Sequence, residues 1–283
     1  MQYYSKNDCL DCVLKSPLAV TSKDQRAWLD IFARYCLVED PVGSAPHLSG
    51  VYDRALGRRG NAPLMRFYNT FIAPYEIIFH VDRDVVEGLL VVRDLTIEIR
   101  MSARVRVHVP MHLMYELVEE QGELKIFRLA AHWEMLPSLR QQMSFGWGSL
   151  SAGLSAGWRM YRYLGLGGSA GFMRAIRSIG SVGKLQLDTF VRFVNGGNAD
   201  GVAGLMNDSS GSIYYAGEKL SPAQLVEAQL SVSTGKIIAA GNYVSASCRV
   251  SSQESVSHGV VFFEFSMKTR KICEVRFYLE ETP

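Results

Sequence analysis

Acidic residues are missing from one long stretch of this chain. Between Glu134 and Asp188 there is no Asp or Glu, while Arg140, Arg159, Arg162, Arg174, Arg177 and Lys184 fall inside it. Removing those six charges from the formal net charge of +2 leaves the rest of the chain at −4. Apolar runs long enough to cross a bilayer are also missing, because these arginines break up the segment richest in Phe, Trp, Tyr, Leu and Gly. No zinc-finger, RNP or basic-zipper pattern is present, and with so small a net charge a nucleic-acid partner is not expected. Residues Met1 to Asp8 have neither the basic n-region nor the apolar h-region of a signal peptide, so a cytoplasmic location is expected. Cysteine is scarce, five in 283 residues, and is expected as free thiol. Cys9 and Cys12 have C-x-x-C spacing, but Asp8 and Asp11 beside them disfavour the thiolate, which points to a helix face with no redox role. The six histidines include His47, His80, His108, His112 and His132 on separate elements, without H-x-x-x-H or carboxylate spacing, so no metal and no cofactor are expected.

What is present is the composition of a folded protein, 48% apolar and 20% charged, long enough for two domains of modest size. Helical spacing runs over Lys6 to Leu14 and from Ser22, a candidate N-cap, to Tyr35, with Trp28, Leu29 and Phe32 on the inner face. A third helix is expected from Pro63 through Leu64, Phe67, Tyr68 and Phe71, stopping before Pro74. The period then changes to two over Glu76–Asp82, Val85–Met101, Val105–Glu119 and Leu124–Glu134, with turns at Asp82-Arg83-Asp84, Ser102-Ala103 and Gln121-Gly122. Helices followed by a run of strands predict an α+β fold.

Residues 184–283 repeat that order in shorter form. Lys125-Ile126 in the last strand of the first half matches Lys271-Ile272 in the second, and the histidine thirteen residues earlier is His112 in one and His258 in the other. The expected division is 1–137, a basic glycine- and aromatic-rich connector at 138–183 open to helix formation, and 184–283.

After the second helix the chain reads Val38-Glu39-Asp40-Pro41-Val42-Gly43-Ser44, preceded by Phe32-Ala33. This resembles the segment of bacterial ketosteroid isomerases that carries the general-base aspartate. Both halves are similar in layout to the nuclear transport factor two superfamily, which also includes the SnoaL-like polyketide cyclases. The resemblance implies two cone-shaped domains, each a curved antiparallel sheet wrapped around helices with an apolar pocket at the open end. It implies that Asp40 points into that pocket and shuttles a proton beside a carbonyl. The bland reading of Asp40 is the start of an Asp-Pro turn on the surface.

In the family a helix-one tyrosine and a protonated aspartic acid hold the enolate oxygen. Here the spacing back from Asp40 lands on Ser16. Where the family has proline, one residue and then the acid, this chain has Pro110-Met111-His112. His112 is therefore the expected carbonyl-polarising residue, with Met114 on its face, and a strand histidine bonded to a neighbouring element is the alternative. Trp133 falls where relatives carry a pocket aromatic, Phe67 comes from the third helix and His47 from the rim, so these three with Met114 are the expected ligand contacts. In the second half the position of Asp40 falls near Ile213-Tyr214-Tyr215, without a carboxylate. That half is expected to pack like the second subunit of a dimer, an intramolecular pseudo-dimer.

Three functional readings stay open: an isomerase of apolar ring-containing ketones, a non-catalytic carrier of a steroid, polyketide or lipid, and a cyclase or hydratase using the same base. All three imply a small apolar ligand. The connector, with Phe145, Trp147, Trp158, Arg159, Arg162, Arg174 and Arg177, reads as helices packed between the domains, as a peripheral membrane contact, or as a lid over the pocket.

Overall fold

The computed structural model describes residues 4–50, 52–53, 58–60, 62–102, 105–144, 147–207, 211–253 and 255–280, with the side chains of 52–53, 58–59 and 147–152 outside that description. Contacts divide the chain into two compact units, Met1–Asp82 with Val86–Ile176, and Arg83–Val85 with Arg177–Pro283. Both are α+β, each with one six-stranded mixed sheet and helices packed on one face.

In the first unit, α1 (Lys6–Thr21) starts at a capping box in which Ser5 and Asp8 satisfy each other's backbone amides. Helix α2 (Gln25–Asp30) is short, capped by Asp24, and gives way at Phe32 to strand β1 (Phe32–Glu39). Small pairs β2 (His47–Leu48) and the β3–β4 ribbon (Tyr52–Asp53, Arg58–Arg59) lead to α3 (Ala62–Phe67), which runs on into a π-helical turn over Tyr68–Ile72. Long strands β5 (Glu76–Glu87), β6 (Leu90–Arg100), β7 (Arg106–Glu120) and β8 (Glu123–His132) follow. The sheet order is β2-β1-β8-β7-β6-β5, with β1 parallel to β8 and the pairs β6–β7 and β7–β8 antiparallel. Helices α4 (Met135–Met143) and α5 (Trp147–Met173), broken at Gly165 where φ is +68°, complete this unit. The core gathers around Trp28, whose ring packs on Phe32, Phe67 and Tyr68 at centroid distances of 4.7, 6.0 and 5.5 Å.

The second unit repeats the order: α6 (Gly180–Asn195), α7 (Ala199–Leu205), β9 (Ser212–Tyr215), β10 (Glu218–Leu220), α8 (Pro222–Glu227), then β11 (Ser231–Ala240), β12 (Tyr243–Ser251), β13 (Val256–Phe265) and β14 (Ile272–Leu279). Its sheet order, β10-β9-β14-β13-β12-β11, is that of the first unit strand for strand, again with the first long pair parallel. The Lys-Ile anchor holds in three dimensions. Phe32 is opposite Ile126 in one unit, and Met206 is opposite Ile272 in the other.

The structure corrects three boundaries. The second helix ends at Asp30, and the residues expected to extend it to Tyr35 form β1, whose Cys36 and Val38 enter the core. The chain also stays extended through Asp82-Arg83-Asp84 and turns only at Gly88, where φ is +59°. Finally, residues 236–250, which the notion of one continuous strand would span, form two strands, β11 and β12, joined at Gly241-Asn242.

Candidate functional site

Asp40 directly follows β1, and Trp133 directly follows β8. These neighbouring strands run parallel, with Val38 opposite Leu129 and Glu39 opposite Ala130, so the two residues emerge side by side at one end of the sheet. Strand alternation puts Asp40 on the face of Cys36 and Val38, and Trp133 on the face of Leu129 and Ala131, both facing the core side. The Trp133 indole Nε1–H donates to Asp40 Oδ1 at 2.6 Å.

Both residues line a cavity of about 230 Å³. Its sheet wall is Ile77 of β5, Ile97 and Ile99 of β6, and Val107, Val109 and Met111 of β7; Phe67, Phe71 and Ile72 come from α3 and the π-helical turn. Helices α4 and α5 close it with Met135, Leu139, Ala156, Met160 and Phe172, and Phe71 stacks on Phe172 at 4.7 Å. Asp40 is the one carboxylate among the described lining residues; the other polar groups there are Tyr75, Trp133, Ser138 and Gln142. Part of the Asp40 side chain remains uncovered, but what it faces is this apolar cavity. Desolvation therefore dominates and pushes its pKa up to about 6, while the bond from Trp133 pulls it down. A carboxylate poised there is ionised at neutral pH and still basic enough to accept a proton from carbon.

Trp133 and Phe67 lie in the cavity wall with Asp40. His47 packs its ring on Phe67 at 4.9 Å without lining the cavity, and burial together with the Arg66 charge lowers its pKa to about 4, so it is neutral at physiological pH. His112 and Met114 are on the other face of β7. Inward positions on this strand are Val107, Val109, Met111, Leu113 and Tyr115, so the even-numbered residues point away from Asp40. His112 is fully buried, with Nε2 3.4 Å from Asp94 Oδ1, and register sets Asp94, His112 and His132 abreast on β6, β7 and β8. His132 Nδ1 lies 3.3 Å from the His112 carbonyl oxygen, and burial holds the His132 pKa down to about 3. His112 is thus a buried residue bonded across the sheet, outside the cavity.

Two further residues bear on the cavity. Tyr75 lies between the π-helical turn and β5, and its hydroxyl accepts a hydrogen bond from Arg159 of α5. Arg159 belongs to the stretch left open between a packed connector, a membrane contact and a lid, and its guanidinium turns toward Tyr75. Phe145 and the Trp147 side chain lie outside the described residues. In the second unit the register equates Val38 with Ile213, so Tyr215 takes the place of Asp40; its ring meets Phe277 at 5.7 Å. Cys9 and Cys12 are buried free thiols, and burial raises both pKa values.

No family model and no curated protein matches this chain. Solved structures do. The Δ5-3-ketosteroid isomerase from Mycobacterium sp. is 25% identical over 45% of this chain and 94% of its own, with a TM-score of 0.37. The Mycobacterium tuberculosis protein RV0760c, in complex with estradiol-17β-hemisuccinate, is 19% identical over 45% and 95%, with a TM-score of 0.37. SalBIII, an epoxide hydrolase/cyclase-like enzyme of pyran ring formation in the polyether salinomycin, is 20% identical over 47% and 95%, with a TM-score of 0.38.

Proposed function

We propose that the first unit is an isomerase of apolar ring ketones in which Asp40 is the general base. The observation that carries this reading is a single carboxylate, with its pKa raised to about 6, in the wall of a cavity otherwise built almost wholly from Ile, Val, Met, Phe and Trp. A β,γ-unsaturated ketone bound there loses a proton from the carbon between carbonyl and double bond to Asp40. The electron pair moves into an enolate, and the same carboxyl returns the proton to the γ-carbon, leaving the conjugated ketone. No net oxidation occurs and no cofactor is consumed. Trp133 keeps one carboxylate oxygen occupied, which leaves the other to move the proton. The test is conversion of a β,γ-unsaturated 3-ketosteroid to its conjugated isomer, read by ultraviolet absorbance. Turnover proportional to enzyme concentration supports the reading, and a steroid that binds without converting favours a carrier.

We also infer that α5 meets an anionic membrane surface. Leu154, Trp158 and Tyr161 are 68, 62 and 51% exposed on this helix, with Arg162 exposed among them. Among the described residues no helix is long and apolar enough to cross a membrane, so the contact would be peripheral. The chain should sediment with phosphatidylserine-containing vesicles and be released as salt rises. Trp158→Ser combined with Arg162→Gln should lose most of that binding, a basic side chain at such a surface contributing about 1 kcal/mol. Equal sedimentation with uncharged vesicles at every salt concentration would contradict this.

A further inference from the structure

An enolate needs a donor at its oxygen as much as a base at its carbon. With His112 on the opposite face of β7, the polar side chains of the described wall that could supply it are Tyr75, Trp133, Ser138 and Gln142. The Trp133 N–H is already given to Asp40. Ser138 gives its hydroxyl to the Glu134 carbonyl at 3.0 Å. Of Tyr75 and Gln142, it is Tyr75 that carries a cation on its donor atom.

Its hydroxyl oxygen accepts a hydrogen bond from Arg159 Nη2, and the guanidinium also lies 5.0 Å from the centroid of the Tyr75 ring. A guanidinium is only ever a donor, so the phenol must be the acceptor in this bond, and its own O–H is left to point elsewhere. Among the described residues nothing takes that proton, and the cavity is where an acceptor would sit. Arg159 is itself fixed: Nη1 donates to Ser155 Oγ at 2.6 Å, and Nε is buried without a partner. A half-buried cation on the phenol oxygen makes the O–H a stronger donor, because the charge that builds up on the oxygen as it donates is stabilised. The acidity of Tyr75 shows both influences. Burial raises its pKa, the dominant effect, and Arg159 draws it back, which keeps the phenol protonated and able to donate at neutral pH.

We propose that Tyr75 donates the hydrogen bond that polarises the ligand carbonyl in the Asp40 cavity, with Arg159 as the positioning residue that holds and activates it. This rests on reading that cavity as a ketone site. It gives α5 a chemical role: the helix that supplies Ala156, Met160 and Phe172 to the wall also brings a cation onto the donor. It further specifies the ligand as one whose carbonyl reaches Tyr75 while the adjacent carbon faces Asp40.

The experiment uses the full chain and 2-acetylnaphthalene labelled with ¹³C at the carbonyl, an apolar aromatic ketone that need not turn over. Infrared difference spectra of the bound ketone are compared for the native protein, Tyr75→Phe, which keeps the ring and its packing, and Arg159→Gln. The carbonyl band should lie at lower frequency in the native protein than in Tyr75→Phe, with Arg159→Gln in between. In the isomerisation assay, Tyr75→Phe should lower kcat by about a hundredfold or more with little change in KM, the size expected for removing one oxyanion donor. An identical carbonyl band in all three proteins overturns the role of Tyr75 and leaves Asp40 to be judged by its own variant. Failure of the native protein to bind the ketone overturns the ketone site itself, and this inference with it.

Discussion

Asp40→Asn should reduce isomerisation of a β,γ-unsaturated ring ketone by at least about a hundredfold, the lower end of what a positioned general base contributes. The amide keeps the shape of the carboxyl and can still meet Trp133, so the cavity should survive and KM should change little. In the native protein kcat/KM should rise as pH passes through about 6, where Asp40 loses its proton, and level off above it. The same shift has a consequence for stability. A carboxylate whose folded pKa is about 6 against an ordinary 3.8 holds its proton more tightly when folded, so its contribution to stability falls as pH rises between those values. Roughly two pKa units correspond to about 3 kcal/mol. Asp40→Asn should therefore be the more stable protein above pH 6, by up to that amount, and the advantage should vanish near pH 4. A variant less active and more stable together is what a functional buried charge predicts; a variant less active and less stable would mark Asp40 as structural.

Trp28→Ala should lower the stability of the first unit by about 3–5 kcal/mol, the usual cost of removing a large core aromatic. Trp28 is 1% exposed and holds three aromatic neighbours, one of them Phe67 of the cavity wall. The effect should therefore reach the site as weaker ketone binding. All four tryptophans, Trp28, Trp133, Trp147 and Trp158, belong to the first unit, so tryptophan fluorescence during urea unfolding follows that unit alone. The loss should appear as a lower midpoint in this signal. An unchanged midpoint would mean that the Trp28 cluster does not hold the unit together.

The placement of Asp40 and Trp133 beside the cavity was legible because each is fixed by a short local context. Asp40 follows a strand in a seven-residue segment, and Trp133 follows the strand beside it. The repeat was legible because element order and one Lys-Ile pair survive in both halves. His112 and Met114 failed for a reason intrinsic to strands: with a period of two, choosing the face one residue wrong sends every side chain the other way. The alternation Val107, Val109, Met111 against Arg106, His108, Pro110 already marks the apolar face, and that signal was the better guide. Strand β1 was hidden because Ile31 to Cys36 satisfies helical and extended spacing equally over so few residues. The pairing of Tyr75 with Arg159 was beyond reach, because it joins positions 84 residues apart on elements that share no period. The acid-free stretch showed its charge plainly. That one of its arginines turns inward is a matter of packing, and composition carries no sign of it.

Proton abstraction by Asp40 can be measured without knowing the natural ligand. 2-Tetralone, a small ring ketone with acidic hydrogens beside its carbonyl, is incubated in D₂O with the native protein or Asp40→Asn, and deuterium uptake is followed by proton NMR. The native protein should speed exchange at the carbon between carbonyl and aromatic ring, faster above pH 6 than below it, and Asp40→Asn should fall to the rate without protein. Equal exchange in the two proteins would contradict the assignment of Asp40 as the base.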